Sequence, residues 1–193
     1  MLGHPQMKKY AHDAVFRRPW PLPNVWLGVS VENQETANER IPLLLRTPAT
    51  VRWISAEPLL GPVNIELAQC SCPWPADAIR TRHLLGCLAD TRRPDDQRRW
   101  ARLHWVVAGG ESGPGARPSH QDWFRSLRDQ CAAARVAFHF KQWGEWLGAG
   151  QDGNPDRDEQ EINASDVAIR SGKKAAGRLL DGRLHDEYPE QST

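Results

Sequence analysis

The stretch VVAGGESGPGARP, residues 106–118, decides how this chain is read. Its apolar, β-branched start has the composition of a buried strand, and two glycines stop that run just before Glu111, Ser112 and Arg117. Flexible backbone and charge directly after a strand point either to a ligand at that strand's carboxyl end or to a tight turn.

Working outward, LHWVVAG (103–109) is one of four such runs, with NVWLGVSV (24–31), TVRWISA (50–56) and VAFHFK (136–141). All are nearly continuous in apolar residues, which predicts strands buried on both faces. Between the first two in chain order lies ENQETANERIPLLLRTPA (32–49), a predicted helix in which Pro42 opens or kinks a turn and Thr47-Pro48 closes the element. Before the last run lies SHQDWFRSLRDQCAAAR (119–135), where Ser119 can cap a helix whose apolar face is Trp123, Leu127, Cys131 and Ala134. Strands alternating with crossover helices predict an α/β protein built on a parallel sheet, either an open sheet or part of a (β/α) barrel.

A length of 193 residues with 39% hydrophobic and 25% charged side chains fits one folded domain, residues 1–193. Residues 66–102, rich in proline and arginine, read as an insertion or long crossover, and the acidic stretch 149–166 as a mobile loop. No run reaches the ~20 apolar residues of a membrane span and the first residues lack the pattern of a signal peptide, so a cytoplasmic chain is the expectation. The net charge of +1 gives no global reason to expect nucleic acid, but seven arginines from Arg80 to Arg102 make a local basic stretch. Nine tryptophans suit a substrate pocket or a partner surface as well as a core. Cys70, Cys72, His83 and Cys87 offer soft metal ligands at a spacing that matches no standard zinc site, so no metal is assigned. SGKK (171–174) lacks the upstream glycine of a phosphate loop, and Asp181-Gly182 is a turn signal.

Ligands of parallel α/β proteins bind outside the carboxyl ends of the strands. Those ends supply Glu32 and Asn33, then Glu57, then Gly109, Gly110, Glu111 and Ser112, then Lys141 and Gln142. Glu57, Glu111 and Lys141 are the candidate catalytic groups, since carboxylates and an ammonium in a dry mouth can exchange protons; they can equally form structural ion pairs. Glu32, Asn33, Gly109, Gly110, Ser112, Gln142 and Arg117 are the candidate binding groups. The N–H groups of Gly109 and Gly110 are expected to face the ligand, and Arg117 to clamp an anion.

Six phrases in this chain, PWPLPNVWLGVSVENQ, RIPLLLRTPATVRWISAEPLLGPV, WVVAGGESGPGARP, DWFRSLRDQC, FHFKQWGEW and GKKAAGRLLDGR, carry a family resemblance. The chain resembles the C-terminal portion of a phage and prophage family known as gp thirty-seven/sixty-eight. Members of that family usually begin with a cysteine cluster similar to the three-cysteine motif of radical S-adenosylmethionine enzymes. The resemblance implies a partial barrel lacking its first strands. It also implies a [4Fe–4S] cluster and S-adenosylmethionine in fuller relatives, with neither cofactor expected in this chain alone. Exposed sheet edges would then be covered by a partner chain carrying the missing half or by self-association. The site residues would face cofactor or substrate, with nucleotide or nucleic acid as the expected substrate. Two other readings stand beside this one: a non-catalytic nucleic-acid or protein interaction module, and an acid–base enzyme using Glu57, Glu111 and Lys141.

Overall fold

The four apolar runs form strands β1 (Trp26–Ser30), β2 (Val51–Ala56), β3 (Trp105–Gly109) and β4 (Ala137–Gln142) in a computed structural model describing residues 20–65, 102–148, 151, 161–163 and 166–190. They make an open parallel sheet in the order β1-β2-β3-β4. Helix α1 (Gln34–Arg46) packs on β1 and β2, and α2 (Gln121–Ala134) on β3 and β4. Right-handed crossovers that always advance in one direction put their helices on one face, which is the winding of a (β/α) barrel wall.

One-sided winding corrects the expectation that all four strands are buried on both faces: the central β3 is buried on both from Val106 onward, while β1, β2 and β4 have half-open positions. The helix-facing side carries Ile54, Val106, Ala108, Phe138 and Phe140 against Ile41, Leu44, Phe124, Leu127 and Cys131, all buried. On the opposite face Trp26, Trp53 and His139 surround Trp105 at ring distances of 5.8, 5.7 and 5.9 Å, and Tyr188 lies 5.1 Å from it. Apolar continuity in the sequence came from tryptophans on this half-open face. The outer edge of β4 is covered by the chain itself, since Phe140 N–H donates to His185 O at 2.9 Å and Glu187 N–H to Phe138 O at 3.2 Å. The outer edge of β1 has no strand partner among the described residues.

The helix starts differ in detail from the sequence expectation. Asn33 caps α1 through its side chain and shares a capping box with Thr36, so Pro42 lies inside the helix rather than opening it. In α2 the cap is His120, while the buried Ser119 hydroxyl donates to Leu59 O at 2.5 Å. Phe124 takes the fully buried position and Trp123 is only partly buried.

A second, antiparallel sheet of β5 (Trp146–Gly148), β6 (Glu161–Asn163) and β7 (Asp166–Arg170) has the order β5-β7-β6 and is followed by the short helix α3 (Lys173–Ala176). Part of the expected loop 149–166 is thus strand. The turn at Asp181-Gly182 is present, with φ of 52° and 70° and a bridge between Leu180 and Arg183. The expected insertion, with Cys70, Cys72, His83 and Cys87, lies outside the described residues except for Arg102. No helix among the described residues is long and apolar enough to cross a membrane.

Two polar groups are built into the parallel sheet. The Arg52 guanidinium is completely buried and donates to the carbonyls of Leu44, Thr47 and Ala49, closing the C-terminus of α1. Beside it, the Arg52 N–H donates to His104 Nδ1 at 3.1 Å. Burial first, then the positive charges of Arg102 and Arg52, bring the His104 pKa down to about 4. An unfolded histidine titrates near ~6.5, so between that pH and about 4 the unfolded chain binds more protons. Stability is therefore present above the unfolded value and lost as pH falls through this window. Urea titrations are expected to show a loss of about 2 kcal/mol between pH 7 and pH 5. His104→Asn, which keeps an acceptor, should flatten this dependence; an unchanged slope would remove His104 as its source.

Candidate functional site

Glu57 leaves β2 directly after Ala56, and the turn behind it is pinned to both neighbouring strands. Leu59 N–H donates to Gly109 O at 3.0 Å and Leu60 N–H to Glu32 O at 2.7 Å. From there the Glu57 carboxylate crosses β3 and reaches β4, where Lys141 Nζ donates to Oε2 at 2.9 Å and Gln142 Nε2 to Oε1 at 2.8 Å. Gly109 leaves the room for this crossing: a Cβ there would lie 3.2 Å from Glu57 Cδ and Oε1.

Lys141 and Gln142 are consecutive and in a regular strand would point to opposite faces. The register of β3 and β4 slips between Ala108↔Phe140 and Gly109↔Gln142, leaving Lys141 as the extra residue of a bulge. A bulge bends the strand and re-aims its side chains, so both residues meet one carboxylate. Gln142 Nε2 also donates to Ser112 Oγ at 3.3 Å. The Glu57 side chain is only 17% exposed against 54% for Lys141, so the carboxylate is sunk while the ammonium reaches outward.

The other predicted residues have different partners. Gly110 N–H, expected to face a ligand, donates to Gln142 O at 3.0 Å. The need for glycine here comes from backbone crossing backbone, because a Cβ on Gly110 would fall 1.9 Å from Trp143 O. Arg117, expected as an anion clamp, instead grips Glu111, with Nε on Oε2 at 2.8 Å and Nη2 on Oε1 at 2.9 Å. These bonds hold the Glu111 pKa down to about 2, so the carboxylate stays ionised and is not a proton carrier near neutral pH. Glu32 pairs with Arg40 at 3.0 Å, and Asn33 is occupied as the α1 cap. Glu57, Gly109, Ser112, Lys141 and Gln142 therefore form the cluster, and Glu32, Asn33, Glu111 and Arg117 hold its surroundings in place.

A family model described as Protein of unknown function (DUF5131) matches residues 4–189. The chain belongs to that family. No curated protein and no solved structure matches it.

In this DUF5131 member the loop after β3 is held by Glu145, which follows the fourth strand, and by Trp146 and Arg170, which strand-end reasoning did not select. Gly113 N–H donates to Glu145 Oε1 at 3.2 Å, Trp146 Nε1 to Ala116 O at 2.7 Å, and Arg170 Nη2 to Pro114 O at 2.7 Å. The antiparallel sheet thus supports the rim of the site; the sequence signal for it was the pair of tryptophans in WGEW (143–146). Chemically, Glu57 keeps lone pairs beyond its two present bonds and Lys141 keeps N–H donors, so the cluster can accept from a ligand amine or hydroxyl and donate to a ligand oxygen. Among the described residues no group of three His, Cys, Asp or Glu side chains can hold a metal ion. Cys131 is buried in α2 and its thiol is pushed up by desolvation, so it is no thiolate ligand. The described residues of this DUF5131 chain therefore do not fit an iron–sulfur cluster.

Proposed function

We propose that the carboxyl edge of the parallel sheet is the ligand mouth of a radical S-adenosylmethionine-like phage protein, with this chain forming the substrate-side wall and acting on a nucleotide or nucleic acid. The observation that carries this reading is the Glu57 carboxylate held across Gly109 by Lys141 and Gln142 at the carboxyl ends of three successive strands. Parallel α/β sheets bind their ligands at this edge, and the one-way strand order is that of a barrel wall. The edge of β1, unpaired among the described residues, is where a complementary strand, from a partner chain or a second copy, would add.

In this reading Glu57 accepts hydrogen bonds from a ligand amine or from ribose hydroxyls, and its sunk position fits the ammonium of S-adenosylmethionine. Lys141 orients Glu57 while keeping its remaining N–H donors toward the ligand. Gln142 and Ser112 fix the opposite side of the carboxylate. The radical chemistry that S-adenosylmethionine supplies on a cluster is not assigned to these residues.

Calorimetric titration with S-adenosylmethionine tests the mouth directly. The resemblance gives no cofactor to this chain alone; a mouth that retains the cofactor contacts binds S-adenosylmethionine without iron all the same, and that binding is expected to weaken at least about tenfold in Glu57→Gln, which corresponds to about 1.4 kcal/mol. Absence of binding, or equal binding by Glu57→Gln, overturns the assignment.

A further inference from the structure

Next to the Glu57 cluster lies an open cleft of about 390 Å³ lined by Lys141, Gln142, Lys173, Lys174, Gly177 and Arg178. Four of these six residues are cations. Two have carboxylate partners, Lys141 with Glu57 and Arg178 with Asp186. The Lys173 and Lys174 side chains have no hydrogen-bond or ion-pair partner among the described residues. The cleft thus carries two positive charges in excess of its partners. We infer that it binds the phosphate of the nucleotide substrate, beside the amine that the Glu57 cluster takes.

The backbone that presents these lysines is fixed. Ser171 N–H and Gly172 N–H both donate to Glu145 O at 3.1 Å, and Trp143 N–H donates to Gly177 O at 3.1 Å. Ala176, between the lysines and Arg178, is buried. The segment is therefore clamped to the β4–β5 connection at both ends, and its cations are brought to Lys141 by tertiary contacts. A phosphate monoester carries a charge of about −1.5 to −2 near neutral pH and three strong acceptor oxygens, which matches the excess charge of the cleft. The volume lies at the low end of the ~300–1,000 Å³ typical of small-molecule sites, as suits one nucleotide or the terminal unit of a strand. SGKK is no phosphate loop; its lysines act here as point charges supplied to a site made by another element.

This inference rests on reading the carboxyl edge as the ligand mouth, because Lys141 and Gln142 border both. Its test is the binding of inorganic phosphate, adenosine monophosphate and a short single-stranded oligonucleotide to the full chain and to Lys173→Glu/Lys174→Glu. Both lysines are exposed, and circular dichroism checks that the variant is folded. Adenosine monophosphate or the oligonucleotide should bind the native chain, more weakly as salt rises, and the double variant should lose at least tenfold. Preference between these two ligands identifies the source of the phosphate. No binding of any phosphate probe, or equal binding by the double variant, overturns the inference. If S-adenosylmethionine still binds in a Glu57-dependent way, the cleft alone has failed; if it does not, the mouth has failed as well.

Discussion

Arg52→Met is expected to lower the unfolding free energy by about 3–5 kcal/mol, read from the urea midpoint. Arg52 is completely buried, and its guanidinium serves three carbonyls at and just beyond the last turn of α1. Leu44 O also accepts from Thr47 N–H at 3.1 Å, so the carbonyls that depend on the guanidinium are those of Thr47 and Ala49, and methionine fills the volume without supplying a donor. Each buried acceptor left without a partner costs about 1–3 kcal/mol. Burial brings the guanidinium pKa down to about 10, so it is still charged at neutral pH, and the negative end of the α1 dipole favours that charge. Arg52→Lys should recover only part of the loss, since one ammonium cannot match the planar fork that reaches Leu44, Thr47 and Ala49 together. A methionine variant within about 1 kcal/mol of the native chain would show that these bonds hold nothing together.

Gly110→Ala should be comparably damaging, at about 3 kcal/mol or more, and should also abolish ligand binding. The backbone at Gly110 is not in the left-handed region, so alanine suits it locally. The loss comes from the 1.9 Å approach of the new Cβ to Trp143 O, a backbone atom that moves only if the ends of β3 and β4 separate. Those ends carry Gly110 N–H on Gln142 O and the Gln142 amide on Glu57. Separation therefore opens the cluster as well as the sheet. Gly115→Ala is the matched control in the same loop: its Cβ would meet nothing within 4 Å, and its effect should stay within about 0.5 kcal/mol. Equal stability of the two variants would sink the close-approach argument.

The strand ends show how far the residues themselves could be read. Glu57, Lys141 and Gln142 were found because each follows an apolar run, and strands of a parallel sheet end together. Glu32, Asn33 and Glu111 satisfied the same rule, yet each is occupied by a neighbour close in sequence, Glu111 by Arg117. Asn33 with Thr36 three residues later is a readable cap signal, whereas the Glu111–Arg117 grip depends on how the SGPG turn folds back. Similarly, Phe124 rather than Trp123 faces the core because the helix is rotated by what it packs against, here Phe140 and Trp143 at ring distances of 5.0 and 5.3 Å.

By itself, the amino-acid order determined the four parallel strands, the two crossover helices and the edge at which polar groups gather. Apolar runs, helical periodicity and glycine stops are local, and backbone sterics and burial read them within a few residues. Only the tertiary structure decided that Lys141 occupies a bulge, that Glu57 passes over Gly109, that Arg52 is buried against a helix end, and that Lys173 and Lys174 stand beside Lys141. Arg52 meets carbonyls three to eight residues before it through the turn from α1 into β2, and the others depend on the approach of segments that the sequence keeps apart, between which a shift of one residue in register turns a side chain to the other face.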